Sequence, residues 1–207
     1  MMCTMLHIML LIRNPQIDER EILTTLRRAF TDVATGKATI PGQFVVDLPG
    51  GGDVIQYPGI LADGGLYAVK VSPYLPQPEG KAVVTAWTLL LDTVTGAPVA
   101  LINAGALTTE RTAATSALAA DLLLPPTAQT AAVVGYGPVG RAHVRYLRAL
   151  RPEIDVRVYA RTPPAAVDPT VTLADSIDAA VAGADLVMLC TSAAEAVLDP
   201  RRLPVGT

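Results

Sequence analysis

Apolar and polar positions change their period twice along this chain. Ile22, Leu26, Ala29, Phe30 and Val33 recur at helical spacing, and Asp18 with Glu21 makes an Asp-x-x-Glu start signal, with Ile17 placed to staple against Ile22. Arg20, Arg27 and Arg28 fall mostly on the other side, as a solvated face. From Gln43 to Asn103 the helical period gives way to short β-rich runs: Phe44 to Leu48, Val54 to Tyr57, Leu66 to Ser72, Val83 to Leu91 and Val99 to Asn103. Gly50-Gly51-Gly52-Asp53 and Thr95-Gly96 read as hairpin turns, so this stretch predicts an antiparallel sheet. A helix follows from about Thr109 to Leu124 and stops at Pro125-Pro126, which cannot continue it. Beyond the prolines the pattern predicts a strand over 130–135, a helix over 138–151, a strand over 155–160, a short helix near 175–182 and a strand over 184–190. Strand–helix alternation implies a parallel sheet.

The expected fold is therefore α/β, an antiparallel-sheet domain over 1–125 followed by a Rossmann-like domain over 126–207. Only three parallel strands are placed, where a doubly wound fold has about six. The second domain is thus either unusually small or C-terminally incomplete.

At 207 residues, 51% hydrophobic and 17% charged, the chain has enough apolar residues for a substantial core. A net charge of -3 and a pI near 5.3 supply no basic field, which argues against nucleic acid as a partner. Cys3 and Cys190 are far apart and read as free thiols of a reducing compartment. Cys190 itself reads as a small buried hydrophobe. The apolar opening Met1 to Ile12 is too short to span a bilayer and lacks a basic leader. It is taken as a first strand, with no membrane partner and a cytoplasmic location. No metal site is assigned. His143 lies on the apolar side of its helix as a structural histidine, and Trp87 as sheet core or a dimer contact.

The most informative chemistry is V-V-G-Y-G-P-V-G-R, a G-x-G-x-x-G turn between a strand and a helix. Gly135 permits a tight turn, Gly137 lets backbone amides approach a pyrophosphate, and Gly140 lets helix and strand pack closely. Pro138 and Val139 open the helix whose N-terminus attracts the anion. An acidic residue usually closes the next strand to hold the adenine ribose. Here Asp155 opens that strand instead, and Ala160-Arg161-Thr162 closes it. A guanidinium and a hydroxyl there suit a 2'-phosphate, so NADP(H) is expected in preference to NAD(H), which remains possible.

The segment Thr85 to Ala120, with its L-T-x-x-R-T-A-A-x-S-A helix, resembles the ornithine cyclodeaminase and mu-crystallin family. Pro49-Gly50-Gly51-Gly52, Val69-Lys70-Val71 and the glycine turn occur in the family's order, so the resemblance covers nearly the whole chain. It implies nicotinamide-dependent interconversion of α-amino and α-imino acids, with a small amino or imino acid as substrate. It also implies a homodimer formed through the antiparallel domain. Carried over residue by residue, it makes Lys70 a substrate-site lysine and Arg111 an anion-binding arginine, both catalytic, with Thr112 near the cofactor. Cys190-Thr191-Ser192 would deliver backbone to the cofactor, and Ala160-Arg161-Thr162 is similar to the Asn-Arg-Thr of the NADPH-using branch.

Two of these roles have separate physical support. Arg111 is expected in the first turn of its helix, where free N–H groups and the dipole favour an anion. Lys70 lies in an apolar strand on the face of Leu66 and Ala68, where it could exchange a proton with an imine nitrogen. The plainer reading is an edge-strand lysine that discourages aggregation.

Departures also count. Gln43 stands where many members carry a carboxylate-clamping arginine, and Val83 where they carry a threonine. Leu203-Pro204-Val205-Gly206-Thr207 falls just before the loop with the cyclodeaminases' catalytic aspartate. Because Gln43 supplies no guanidinium and Val83 no hydroxyl, ornithine itself is disfavoured as substrate. Two functions stay open: an NADP(H)-dependent amino/imino acid oxidoreductase, or a non-catalytic NADPH-dependent binder of a small molecule.

Overall fold

A computed structural model of the chain describes residues 9–61, 64–78, 82–162, 164–193 and 195–207. The chain divides into two units, Met1–Thr108 and Thr109–Thr207.

The first unit is built on one sheet. Its elements are β1 (Leu10–Ile12), α1 (Glu19–Ala34), β2 (Ala38–Thr39), β3 (Phe44–Asp47), β4 (Asp53–Leu61), β5 (Leu66–Leu75), β6 (Val83–Val84), β7 (Trp87–Asp92) and β8 (Pro98–Asn103). The order is β1-β8-β7-β5-β4-β2, with β3 also on β4 and β6 also on β5. Every pair is antiparallel except β1 with β8, where Leu11 lies opposite Leu101 in parallel register. The antiparallel sheet expected from the hairpins is therefore mixed. No tight turn joins β1 to β8, so nothing forces the antiparallel direction on that pair.

The single run expected over Val83 to Leu91 is two strands. β6 pairs with Tyr74 and Leu75, and β7 with Leu66 to Val71. Pro73 of β5 falls in the gap between them and has no N–H to donate to a ladder. At the start of α1 the Asp18 carboxylate accepts from the N–H groups of Arg20 and Glu21, both at 2.9 Å, which forms the Asp18 half of the expected capping box. None of α1 is buried, and Phe30 and Val33 of its apolar stripe lie exposed.

The second unit is a parallel sheet with helices. α2 (Gly105–Leu123) leads into β9 (Thr130–Val134), α3 (Pro138–Leu150), β10 (Asp155–Tyr159), β11 (Val171–Leu173), α4 (Ile177–Val181) and β12 (Leu186–Leu189). The strand order is β11-β10-β9-β12, all parallel. β11 was not expected, because three residues among Asp, Pro and Thr give no apolar run. At its core Val133, Val156, Val158, Tyr146 and Leu147 are fully buried. Asp185 ties β12 to β9, its carboxylate accepting from the N–H groups of Gln129 at 2.8 Å and Thr130 at 2.9 Å.

The division at Thr108/Thr109 precedes the Pro125-Pro126 boundary expected from sequence. The reason is visible in the packing of α2. Ala120 belongs to the second unit's core, and Leu124 packs against it. Arg151, at the end of α3, donates to the Asp121 carboxylate at 3.0 Å and to the carbonyls of Asp121 at 2.8 Å, Leu124 at 3.2 Å and Pro125 at 3.2 Å. One guanidinium thus satisfies the carbonyls that a helix end leaves free.

Candidate active site

The glycine turn lies where β9 meets α3. β10 and β11 lie to one side of β9 and β12 to the other, so the chain reverses its direction across the sheet at β9. Open parallel sheets take their ligands at that switch point, beyond the carboxyl ends of the strands. A crevice of about 570 Å³ opens there.

Each glycine answers to a local constraint. Gly135 has φ of +103°, and a Cβ on it would run into the Cys190 carbonyl. A Cβ on Gly140 would run into the Gly135 carbonyl oxygen. Gly137 faces open space, with nothing within 4 Å of a notional Cβ, which leaves its backbone approachable. Gly135 is held from both sides: its N–H donates to Tyr159 at 2.8 Å, and the N–H of Cys190 donates to Val134 at 2.7 Å.

The crevice gathers most of the expected cofactor residues. Gly135, Gly137, Ala160, Arg161, Thr162, Cys190, Thr191 and Ser192 all line it. Pro138, Val139 and Gly140 begin α3 without lining the space, and Asp155 sits at the far end of β10, as its place in the strand predicted. Burial pushes the Cys190 thiol up to about 11, so it is no nucleophile at neutral pH. His143 is buried with Nδ1 2.8 Å from the Val139 carbonyl, a structural contact within α3.

Sequence reasoning missed Arg141 and Tyr136. Arg141 lines the crevice and donates to the Tyr136 carbonyl at 3.2 Å. Its signal was an arginine directly after the third glycine. Among the described lining residues there are two guanidiniums, Arg141 and Arg161, and no carboxylate.

Lys70 belongs to the first unit. β5 is paired at Lys70 on both sides, to Tyr57 of β4 and Thr88 of β7, so the edge-strand explanation does not hold. Its Nζ lies 4.3 Å from the centre of the Tyr57 ring, whose face attracts an ammonium. Gln43 lies exposed just before β3, and Val83 is exposed on β6. Arg111 is exposed, but it is not in the first turn as expected. α2 starts at Gly105, four residues early, with the Gly105 N–H donating to the Asn103 side chain at 3.2 Å. Arg111 therefore falls in the second turn, beyond the free N–H groups, and the dipole argument for it lapses. Thr112 follows it, half-buried.

The model of the ornithine cyclodeaminase/mu-crystallin family matches residues 3–204. The chain belongs to that family. Among curated members, it is 44% identical over 191 residues to the NAD(P)H-dependent anabolic L-arginine dehydrogenase of Pseudomonas aeruginosa, covering 88% of the chain and 60% of that protein. It is 32% identical to the mouse ketimine reductase mu-crystallin over 119 residues, covering 55% of the chain and 38% of that protein. Among solved structures, the Thermococcus litoralis Δ1-pyrroline-2-carboxylate reductase, in complex with NADH and L-proline, superposes with a TM-score of 0.81 at 27% identity. That match covers 92% of the chain and 64% of the reductase. The chain thus spans about 60% of the length of the first of these family members. Among the described residues no helix is long and apolar enough to cross a membrane.

Proposed function

We propose that this member of the family is an NADP(H)-dependent oxidoreductase that interconverts an α-amino acid and its imino acid. One observation carries the reading: a glycine turn at the switch point of a parallel sheet opens a crevice whose described lining has Arg161 at the end of β10 and no carboxylate. The residues fit the nucleotide. Gly137 leaves its backbone open, the first turn of α3 presents free N–H groups, and Arg161 pairs with no carboxylate among the described residues. A bound nicotinamide would supply hydride exchange at the α-carbon, balanced by a proton lost or regained at nitrogen as C=N forms or is reduced.

The chain's own residues orient the reactants. Lys70, drawn to the Tyr57 ring, holds the substrate carboxylate or exchanges the proton at nitrogen. Arg111 takes a carboxylate or a cofactor phosphate, Thr112 lies beside the cofactor, and Gln43 donates one hydrogen bond to the substrate. The relatives support the chemistry: one is an L-arginine dehydrogenase, which names an amino acid, and another a ketimine reductase, which names a carbon–nitrogen double bond. The protein works as a homodimer through its first unit, where Leu10, Leu11, Phe44, Val45 and Val46 are about half exposed or more.

Absorbance at the reduced-nicotinamide band, with amino acids plus NADP+ and with cyclic imines plus NADPH, tests the reading. Turnover that Lys70→Ala abolishes while NADPH still binds is the expected result, and absence of turnover by the full-length protein across the panel overturns it. A binder without turnover is the second reading, favoured by Gln43 and Val83, which cannot reproduce an arginine clamp or a threonine hydroxyl.

A further inference from the structure

We infer that Arg141 is the second half of a two-arginine grip on the phosphate borne by the adenosine ribose of the cofactor, an inference that rests on reading the crevice as an NADP(H) site. Arg141 lies in the first turn of α3, directly after Gly140. Long side chains on a helix lean back towards its N-terminus. Here the guanidinium reaches the Tyr136 carbonyl at 3.2 Å, which sets its planar head in the crevice beside the residue that follows Gly135.

The direction of that stripe of α3 decides which part of a nucleotide Arg141 meets. Arg148 lies about two turns further on, nearly in line with Arg141. Its guanidinium donates to the carbonyl of Thr170 at 2.6 Å and of Ile154 at 3.5 Å. Thr170 immediately precedes β11 and Ile154 immediately precedes β10. The stripe therefore faces the β10–β11 half of the sheet, where β10 runs out into Ala160 and Arg161. Arg145, on the neighbouring stripe, turns instead to Glu110 of α2 at 2.7 and 2.9 Å. Arg141 thus lies in one crevice with Arg161, on a stripe of α3 that turns towards the β10–β11 half of the sheet.

Two guanidiniums in that crevice, with no carboxylate in the described lining, make a field suited to a doubly charged phosphate. Only part of the Arg141 head is committed to Tyr136, and its other N–H groups remain for phosphate oxygens. The pyrophosphate has a different host, the free amides at the start of α3. Arg141 is therefore assigned to nucleotide choice rather than to nucleotide binding in general.

The test is fluorescence titration of the purified full-length protein with NADPH and with NADH, for the native chain, Arg141→Gln, Arg141→Lys, Arg161→Gln and the double Gln variant. Arg141→Gln is expected to weaken NADPH by about 10- to 100-fold and to leave NADH within about twofold. Arg141→Lys should fall between, and the double variant should bind the two nucleotides alike. Equal losses for NADPH and NADH would show that Arg141 only props the glycine turn or serves the pyrophosphate, and would overturn the grip; so would an unchanged NADPH affinity. Failure of the cofactor reading looks different: the native chain itself would then show no preference for NADPH. The melting temperature without nucleotide should not move in Arg141→Gln, because the side chain is exposed; a fall accompanied by loss of both nucleotides also overturns the assignment.

Discussion

The two units treat their apolar residues in opposite ways. In the second, β9 and β10 bury Val133, Val156 and Val158 completely, and α3 adds Val144, Tyr146 and Leu147. In the first, β3 is exposed along its whole length, although three of its four residues are Phe and Val, and α1 buries nothing, although it carries an apolar stripe. Parallel strands flanked by helices are covered on both faces by their own crossovers, whereas a sheet of hairpins covers at most one face with its own chain. The contrast teaches that the crevice at the glycine turn rests on strands buried within the second unit, while the first unit leaves apolar side chains of β3 and α1 exposed.

The sharpest way to break this contrast is a pair of glycines. Gly140→Val in the second unit has to displace the Gly135 carbonyl, so nucleotide binding should be abolished in titration and stability should fall by about 1–3 kcal/mol. Gly59→Ala in β4 meets nothing within 4 Å and should cost less than about 1 kcal/mol. Equal damage from both would mean that the first unit's surface is closed in solution.

Core deletion is the next test. Leu147→Ala, at a fully buried site, should lower stability by about 2–5 kcal/mol in urea unfolding. Phe44→Ala, at a residue 62% exposed, should change it by less than about 0.5 kcal/mol in dilute protein. A larger, concentration-dependent cost for Phe44→Ala would locate the homodimer contact on β3.

A smaller effect separates the crevice from its surroundings. With its thiol at about 11, Cys190 should react slowly with an alkylating reagent near neutrality and faster as the pH approaches 11. Saturating NADPH should slow it further if the nucleotide covers that end, and mass spectrometry of the Cys190 peptide reads the result.

The smallest effect concerns the β9–β12 tie. The N–H groups of Thr130 and Gln129 hold the Asp185 carboxyl below its ordinary pKa. Its contribution to stability is therefore complete above the unfolded value of about 3.9 and is lost as pH falls through the lower folded value. Urea midpoints should decline below that pH in the native chain and decline less in Asp185→Asn.

Much of the site was legible because glycine and arginine carry local constraints. Gly135 needs its positive φ and Gly140 its missing Cβ whatever surrounds the turn, and Arg161 closes a strand whose direction the glycine turn already set. Arg141 was not legible, since its role depends on which way a stripe of α3 faces, and that is known only once Arg148 is seen to bond Thr170. Arg111 was misplaced because the start of α2 is fixed by the Asn103 side chain, a local contact that apolar periodicity does not register.

Residue order alone determined the α/β class, the glycine turn, the cap on α1 and the absence of an acidic residue at the end of β10, because each depends on neighbours within about one turn or one strand. Only the tertiary structure decided that Lys70 lies in a central strand over Tyr57, that α2 joins the second unit through Arg151, and that β1 runs parallel to β8. These depend on contacts between residues distant in sequence, where packing and hydrogen-bond satisfaction choose among arrangements that local pattern leaves equal.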